Sequence, residues 1–156
     1  MSDETKAELA ERASAHMHAS DQYSTILGFQ RIHAEPGRAV LSVLIREDML
    51  NGHAICHGGL VFTLADTAFA HACNSHNRVA VAAACSIEFM QPVRAGDTLT
   101  ATATEQLLRG RNGIYDVTVV NQHDQTVALF RGRSRSLDEH LVETDPGGLQ
   151  AGAPST

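Results

Sequence analysis

In this 156-residue chain the stretch that raises a chemical question is residues 51–75, NGHAICHGGLVFTLADTAFAHACNS. Histidines and glycines open the stretch, and an almost uniformly apolar run follows. One carboxylate, Asp66, interrupts that run. At helical spacing it shares a face with Phe62, Phe69 and Cys73, at separations of four, three and seven. An ionised carboxylate against phenyl rings is costly unless it is paired or wetted, so its pKa tends to rise. Two roles suit such a group. One is a structural aspartate bonded to a backbone or threonine group. The other is the acid–base or nucleophilic carboxylate of a reaction centre, where perturbed groups collect.

His57-Gly58-Gly59 tips the balance toward the second role. Two glycines at a helix start let another group approach the backbone closely. The amides of a first helical turn have no partner inside the helix and carry the positive end of its dipole. Together they form a donor site for a carbonyl oxygen that becomes an oxyanion. Alone, the same glycines read as a tight loop-to-helix turn. Gly58 and Asp66 are eight residues apart, ~12 Å along one helix at ~1.5 Å per residue. They cannot both touch one carbonyl from the same chain. If they cooperate, Asp66 comes from a second subunit, and a two-fold dimer with two such helices antiparallel makes two equal sites.

The elements around this stretch are legible in outline. Residues 58–74 predict a helix apolar around most of its circumference, and therefore a buried one. Before it, 4–19 read as a polar helix, 21–29 as a further short turn, and RIHAEPGRAVLSVLI as a hairpin turning at Glu35-Pro36-Gly37. After it, 79–93 are extended. TLTATATEQLL alternates strictly, with Thr98, Thr100, Thr102 and Thr104 on one face. A turn at Asn112-Gly113, the strand IYDVTVV, the turn NQHDQ and the strand TVALFRGRSRSL complete a meander of about three long strands. The expectation is an α+β chain with an antiparallel sheet. It divides into an N-terminal helical segment (1–20), one domain (21–140) and an unstructured tail (141–156). A sheet of four to six strands wraps such a helix and leaves one side for a second subunit.

Composition narrows the functional classes. Hydrophobic residues make up 43% and charged residues 19%, as in a soluble globular protein. A net charge of −6 argues against general binding to nucleic acid or anionic membranes. The apolar run at 58–73 carries Asp66 and His71 and is too short to cross a bilayer. The acidic N-terminus lacks a signal-peptide core, so a cytoplasmic protein is expected. Its three cysteines, Cys56, Cys73 and Cys85, read as reduced thiols. His53 and His57 stand four apart, but nothing completes a metal set at usual spacing, and no metal is expected. Adjacent Cys56-His57 gives poor nucleophile–base geometry, and Ser75 and Ser86 lack an elbow motif.

LNGHAICHGGLVFTLADTAFAHACNS, followed by AACSIEFMQPVRAGDTLTATA and YDVTVVNQHDQTVALFRGRS, resembles the hotdog-fold acyl-CoA thioesterases, and among them the phenylacetic acid degradation (PaaI) type. The resemblance covers about residues 25–137 and is most specific over HGGLVFTLADTAFA. It implies a long helix wrapped by an antiparallel sheet, dimers joined into a continuous sheet, and homotetramers. The implied reaction is cofactor-free hydrolysis of aryl-acyl-CoA thioesters, with phenylacetyl-CoA or hydroxyphenylacetyl-CoA as substrate. On this resemblance Asp66 is the catalytic carboxylate, and Gly58 is the glycine whose N–H polarises the thioester carbonyl. Asn51 helps hold water or carbonyl, and His57 and Gly59 complete the motif. Some relatives carry a glutamate on this helix with a threonine one turn later; here that later position is Ala70, which leaves the hydroxyl-assisted variant without its hydroxyl.

Asp66 then acts either as general base for water or as nucleophile through a mixed anhydride. The CoA phosphates need cations. Arg109, Arg111, Arg131, Arg133 and Arg135 lie near strand ends, and arginine suits phosphate, although each also reads as an ordinary solvated charge. Phe62, Phe69, Phe89 and Met90 either line a ring pocket or belong to the core. Fold alone leaves two other readings open. One is a non-catalytic acyl-CoA binding or sensing module. The other is a hydratase or dehydratase, which wants a histidine beside the acid and has only His57 to supply it.

Overall fold

The computed structural model describes residues 4–144, in which a six-stranded antiparallel sheet packs against one long helix. Helix α1 (Lys6–Ser20) starts on a capping box: the Thr5 amide donates to Glu8 Oε2 at 2.7 Å and the Glu8 amide donates to Thr5 Oγ1 at 3.2 Å. The short α2 (Gln22–Leu27) is capped by Asp21 and ends at Gly28, whose φ of +74° fits a left-handed stop. Strands β1 (Gln30–Glu35) and β2 (Arg38–Leu44) form the expected hairpin, with Gly37 at φ +74° in its turn. A single 3-10 turn, Glu47–Met49, and a loop lead to α3 (Gly58–Cys73). Strands β3 (Ala80–Phe89), β4 (Thr98–Arg109), β5 (Asn112–Val120) and β6 (Thr126–Ser136) follow.

The strand order is β1-β2-β4-β5-β6-β3. Strands β4, β5 and β6 make the meander read from the sequence. Strand β3 does not sit beside its successor: it pairs with β6 and forms the far edge. Helix α3 thus carries the chain from β2 to the opposite edge of the sheet, and among the described residues β3 has one side without a strand. The turn between β4 and β5 differs from its expectation. Arg109 pairs with Asn112, so the two-residue loop is Gly110-Arg111, and Gly110 at φ +61° supplies the positive φ such a loop needs. Asn112 and Gly113 belong to β5 instead.

Alternation decides which side chains meet the helix. Leu99, Ala101 and Ala103 of β4 are fully buried while Thr98 and Thr104 face out. Leu41 and Val43 of β2, Tyr115, Val117 and Val119 of β5, and Ala128 and Phe130 of β6 complete the sheet's inner face. Helix α3 answers with Leu60, Val61, Leu64, Ala65, Ala68, Phe69 and Ala72. Its half-buried positions, Phe62, Thr63, Asp66, Thr67 and Ala70, recur at helical spacing and form one stripe that its own sheet leaves partly open.

Helix α1 docks outside this core. Glu11 pairs with Arg31 and accepts the Ala34 amide at 3.2 Å, and Ser14 Oγ lies 2.6 Å from His71 Nδ1. Past the sheet, Asn77 Nδ2 donates to the Val142 carbonyl at 2.8 Å. Its Oδ1 accepts from the Leu141 and Val142 amides at 3.1 and 3.0 Å. Leu141 and Val142, read from the sequence as the start of an unstructured tail, are therefore tied down; residues 145–156 of that tail lie outside the described residues. Among the described residues no helix is long and apolar enough to cross a membrane.

Candidate active site

The start of α3 is fixed by its surroundings. The Cys56 amide donates to the Val93 carbonyl at 2.7 Å and the His57 amide to the Met49 carbonyl at 2.8 Å. Asn51 closes the preceding loop on itself. Its Oδ1 accepts from the His53 amide at 2.9 Å and the Ile55 amide at 3.4 Å, and its own amide donates to the Ile55 carbonyl at 2.8 Å. The carbonyl end of the side chain is thus spent on the loop. Nothing among the described residues accepts from Nδ2, and Asn51 lines a cleft of about 380 Å³ with Gly58, Val61, Phe89 and Met90.

His57 caps the helix: its Nδ1 accepts the Gly59 amide at 2.8 Å. Gly59's N–H is thereby engaged by the imidazole. The Leu60 and Val61 amides turn back to the His57 carbonyl. Gly58 is left with the one first-turn amide that has no acceptor among the described residues. A Cβ there would stand 3.1 Å from Cζ of the exposed Phe89, so a side chain would need that ring to give way by a few tenths of an ångström.

Asp66 sits two turns on, half-buried. Burial pushes its pKa above the usual carboxylate range, and the Cys85 thiol, which donates to Oδ1 at 3.9 Å, offsets part of the rise. No backbone or threonine group among the described residues bonds it. The nearby hydroxyls are spent on the helix: Thr67 Oγ1 donates to the Thr63 carbonyl at 2.7 Å and Thr63 Oγ1 to the Gly59 carbonyl at 2.8 Å. Cys85 beside Asp66 and Phe89 beside Gly58 both belong to β3. The carboxylate and the open amide therefore lie along one edge of the sheet, ~12 Å apart on one helix.

Other candidates fare unevenly. Phe69 is a core residue and not part of a ring pocket. It is 1% exposed, its ring centroid lies 5.6 Å from that of Tyr115 and 5.9 Å from that of Phe130, and it rests on Gly132, where a Cβ would meet it at 2.8 Å. Phe62 stays on the half-open stripe, edge-on to Phe130 at 5.4 Å. Phe89 and Met90 are exposed at the cleft. Arg131 forms a two-point pair with Asp116 at 2.6 and 2.8 Å, and Arg111 pairs with Asp138, so both carry their own counter-charge. Arg109, Arg133 and Arg135 are exposed, with no ion pair among the described residues. Sequence reasoning missed Cys85 as the neighbour of Asp66, because that contact depends on where β3 lands.

Known proteins fit this arrangement. Residues 53–128 match the thioesterase superfamily. The acyl-coenzyme A thioesterase PaaI of Escherichia coli K12 is 50% identical over 125 residues, spanning 80% of this chain and 89% of that protein. The structure of E. coli PaaI, from the phenylacetic acid degradation operon, superposes with a TM-score of 0.86 at 45% identity, covering 87% of this chain and 99% of that one. A Streptococcus mutans protein bound to acetyl-CoA superposes with a TM-score of 0.69 at 27% identity, covering 72% of this chain and 90% of that one. With a six-stranded sheet around a helix that carries Gly58 at its start and Asp66 at its middle, the chain belongs to the thioesterase superfamily, as a hotdog-fold acyl-CoA thioesterase of the PaaI type.

Proposed function

We propose that the protein hydrolyses phenylacetyl-CoA and its ring-hydroxylated analogues to the free acid and CoA, in sites shared between two subunits. One observation carries this reading. A single helix presents an amide at Gly58 and a carboxylate at Asp66 that have, among the described residues, no acceptor and no counter-charge, too far apart to serve one carbonyl and both on the edge marked by β3. A two-fold partner brings its Asp66 to this chain's Gly58, and the reverse. Identity to an acyl-coenzyme A thioesterase over most of both chains supports the substrate class, and the acetyl-CoA-bound neighbour supports CoA as the carrier.

The chemistry follows from the groups. The thioester oxygen accepts from the Gly58 N–H at the positive end of α3, where the developing oxyanion is stabilised. Asn51 Nδ2 is free to hold the same oxygen or the attacking water. Asp66 of the partner subunit takes a proton from water as hydroxide adds to the carbonyl. The C–S bond then breaks, CoA leaves as thiolate, and the proton returns to sulfur. The alternative route has Asp66 attack first, giving a mixed anhydride that water opens; a single turnover in heavy-oxygen water labels the Asp66 side chain only on that route. Phe89, Met90 and Phe62 offer apolar surface to a ring, and Arg109 and Arg133 are available to CoA phosphates.

The test is release of free thiol from phenylacetyl-CoA, beside acetyl-CoA and a long-chain acyl-CoA, with Asp66→Asn in parallel. The expected result is preferred turnover of the aryl ester and a loss of 10²-fold or more in Asp66→Asn, on the order expected for removing a general base. Binding of CoA esters without release above background from any of them would make the protein a binding module instead.

A further inference from the structure

Asp66 has an unusual companion. Its only hydrogen-bond partner among the described residues is a thiol, Cys85 Sγ at 3.9 Å from Oδ1. Cys85 faces the helix from β3, opposite Gly132 of β6, while Arg131 and Arg133 on either side of that glycine are exposed on the sheet's other face. The one other titratable group that acts on this niche is Cys73 of α3, which is buried and whose thiol Asp66 disfavours ionising. No described cation faces the carboxylate.

We propose that Cys85 is a positioning residue for Asp66: its S–H holds Oδ1 and leaves Oδ2 free for the reaction. This inference rests on the reading of Asp66 as the reacting carboxylate. The choice of sulfur has a physical consequence. A thiol is a weak donor, so it orients the carboxylate while stabilising its charge little. A hydroxyl or amide in the same place would hold the anion more strongly and weaken it as a base. The thiol itself stays protonated, since burial and the Asp66 charge both push its pKa up. Its role is therefore that of a donor and not of a nucleophile.

The experiment is the pH dependence of kcat for the parent, Cys85→Ser and Cys85→Ala, with Asp66→Asn beside them. A hydroxyl strengthens the bond and should move the acidic limb to lower pH; alanine removes it and should move the limb to higher pH. Each displacement is expected to be about half a pH unit or more. Cys85→Ser should keep more of the parent kcat than Cys85→Ala, with KM unchanged in both. Titration of the Asp66 carboxyl carbon by NMR, its signal identified by its absence in Asp66→Asn, reads the same displacements without turnover. Limbs and titrations that coincide with the parent, or move the same way in both variants, would overturn the proposal and leave Cys85 a packing residue. An active Asp66→Asn would overturn the reading of Asp66 and not the Cys85 contact, which the carbon titration still reports.

Discussion

Asp66 is held where a carboxylate is uncomfortable, and that has a cost in stability with a definite sign. Its pKa in the folded chain is raised. Just above the ordinary carboxylate range, the folded chain therefore holds a proton that the unfolded chain has lost. Stability falls as pH climbs through the raised pKa and stays lower above it. Asp66→Asn should therefore unfold at a higher temperature than the parent at neutral pH, with the gap closing near pH 3, where both states are protonated. A thermal scan at the two pH values checks this; a variant less stable than the parent at neutral pH would point to a structural aspartate. At this scale much was legible in the sequence. The carboxylate in an apolar helix and the glycines at its start are local patterns, whereas Asn51 entered only through the family resemblance. What stayed hidden depends on a rotamer or on distant chain. The Gly59 amide is taken by the His57 ring nitrogen, which depends on that side chain's rotamer. Phe69 is withdrawn into the core because Gly132, far along the chain, gives it room.

Helix α3 works because its neighbours fit it. Gly132→Ala would push a Cβ to 2.8 Å from three atoms of the Phe69 ring, and such overpacking typically costs ~1–3 kcal/mol. Denaturant unfolding should show that loss, and an unchanged midpoint would mean that the ring moves freely. The other end of α3 binds α1 through Ser14 and His71. Burial, then the neighbouring His18 and Arg31, push His71 down to about 4. Below its ordinary value of 6.5 the unfolded chain takes a proton that the folded chain refuses. Stability is therefore full above pH 6.5 and drains away as pH falls toward about 4, by at most ~3 kcal/mol. His71→Gln should flatten that stretch of the stability–pH curve; an equally steep curve in the variant would assign the loss to other groups. The elements themselves followed from period and punctuation: the alternation of β4 and the apolar run of α3 needed no tertiary knowledge. The place of β3 did need it, because no local signal distinguishes pairing with β4 from pairing with β6. The Ser14–His71 contact was equally invisible, joining residues 57 apart.

Viewed whole, the chain has an unfinished side. Among the described residues strand β3 leaves one edge without a strand, with Val81 48% and Phe89 55% exposed. The adjoining stripe of α3, which includes Asp66, is only half covered. Exposed strand edges and apolar patches invite pairing, and a second copy meeting this edge would cover both. We expect a dimer in solution, assembling further to a tetramer, which sedimentation at micromolar concentration will read; a monomer would contradict the shared site. The most direct test of that site mixes two disabled variants. Asp66→Asn keeps the Gly58 amide, and Gly58→Val keeps the Asp66 carboxylate. Each alone should be nearly inactive. After unfolding and refolding together in equal amounts, random pairing gives half hybrid dimers, each with one site that combines an intact Gly58 with an intact Asp66. Recovery of about a quarter of the parent thioesterase activity is the predicted result for two equal, two-fold-related sites. No recovery, with hybrid dimers shown to be present, would mean that Gly58 and Asp66 do not serve one site across the subunit boundary.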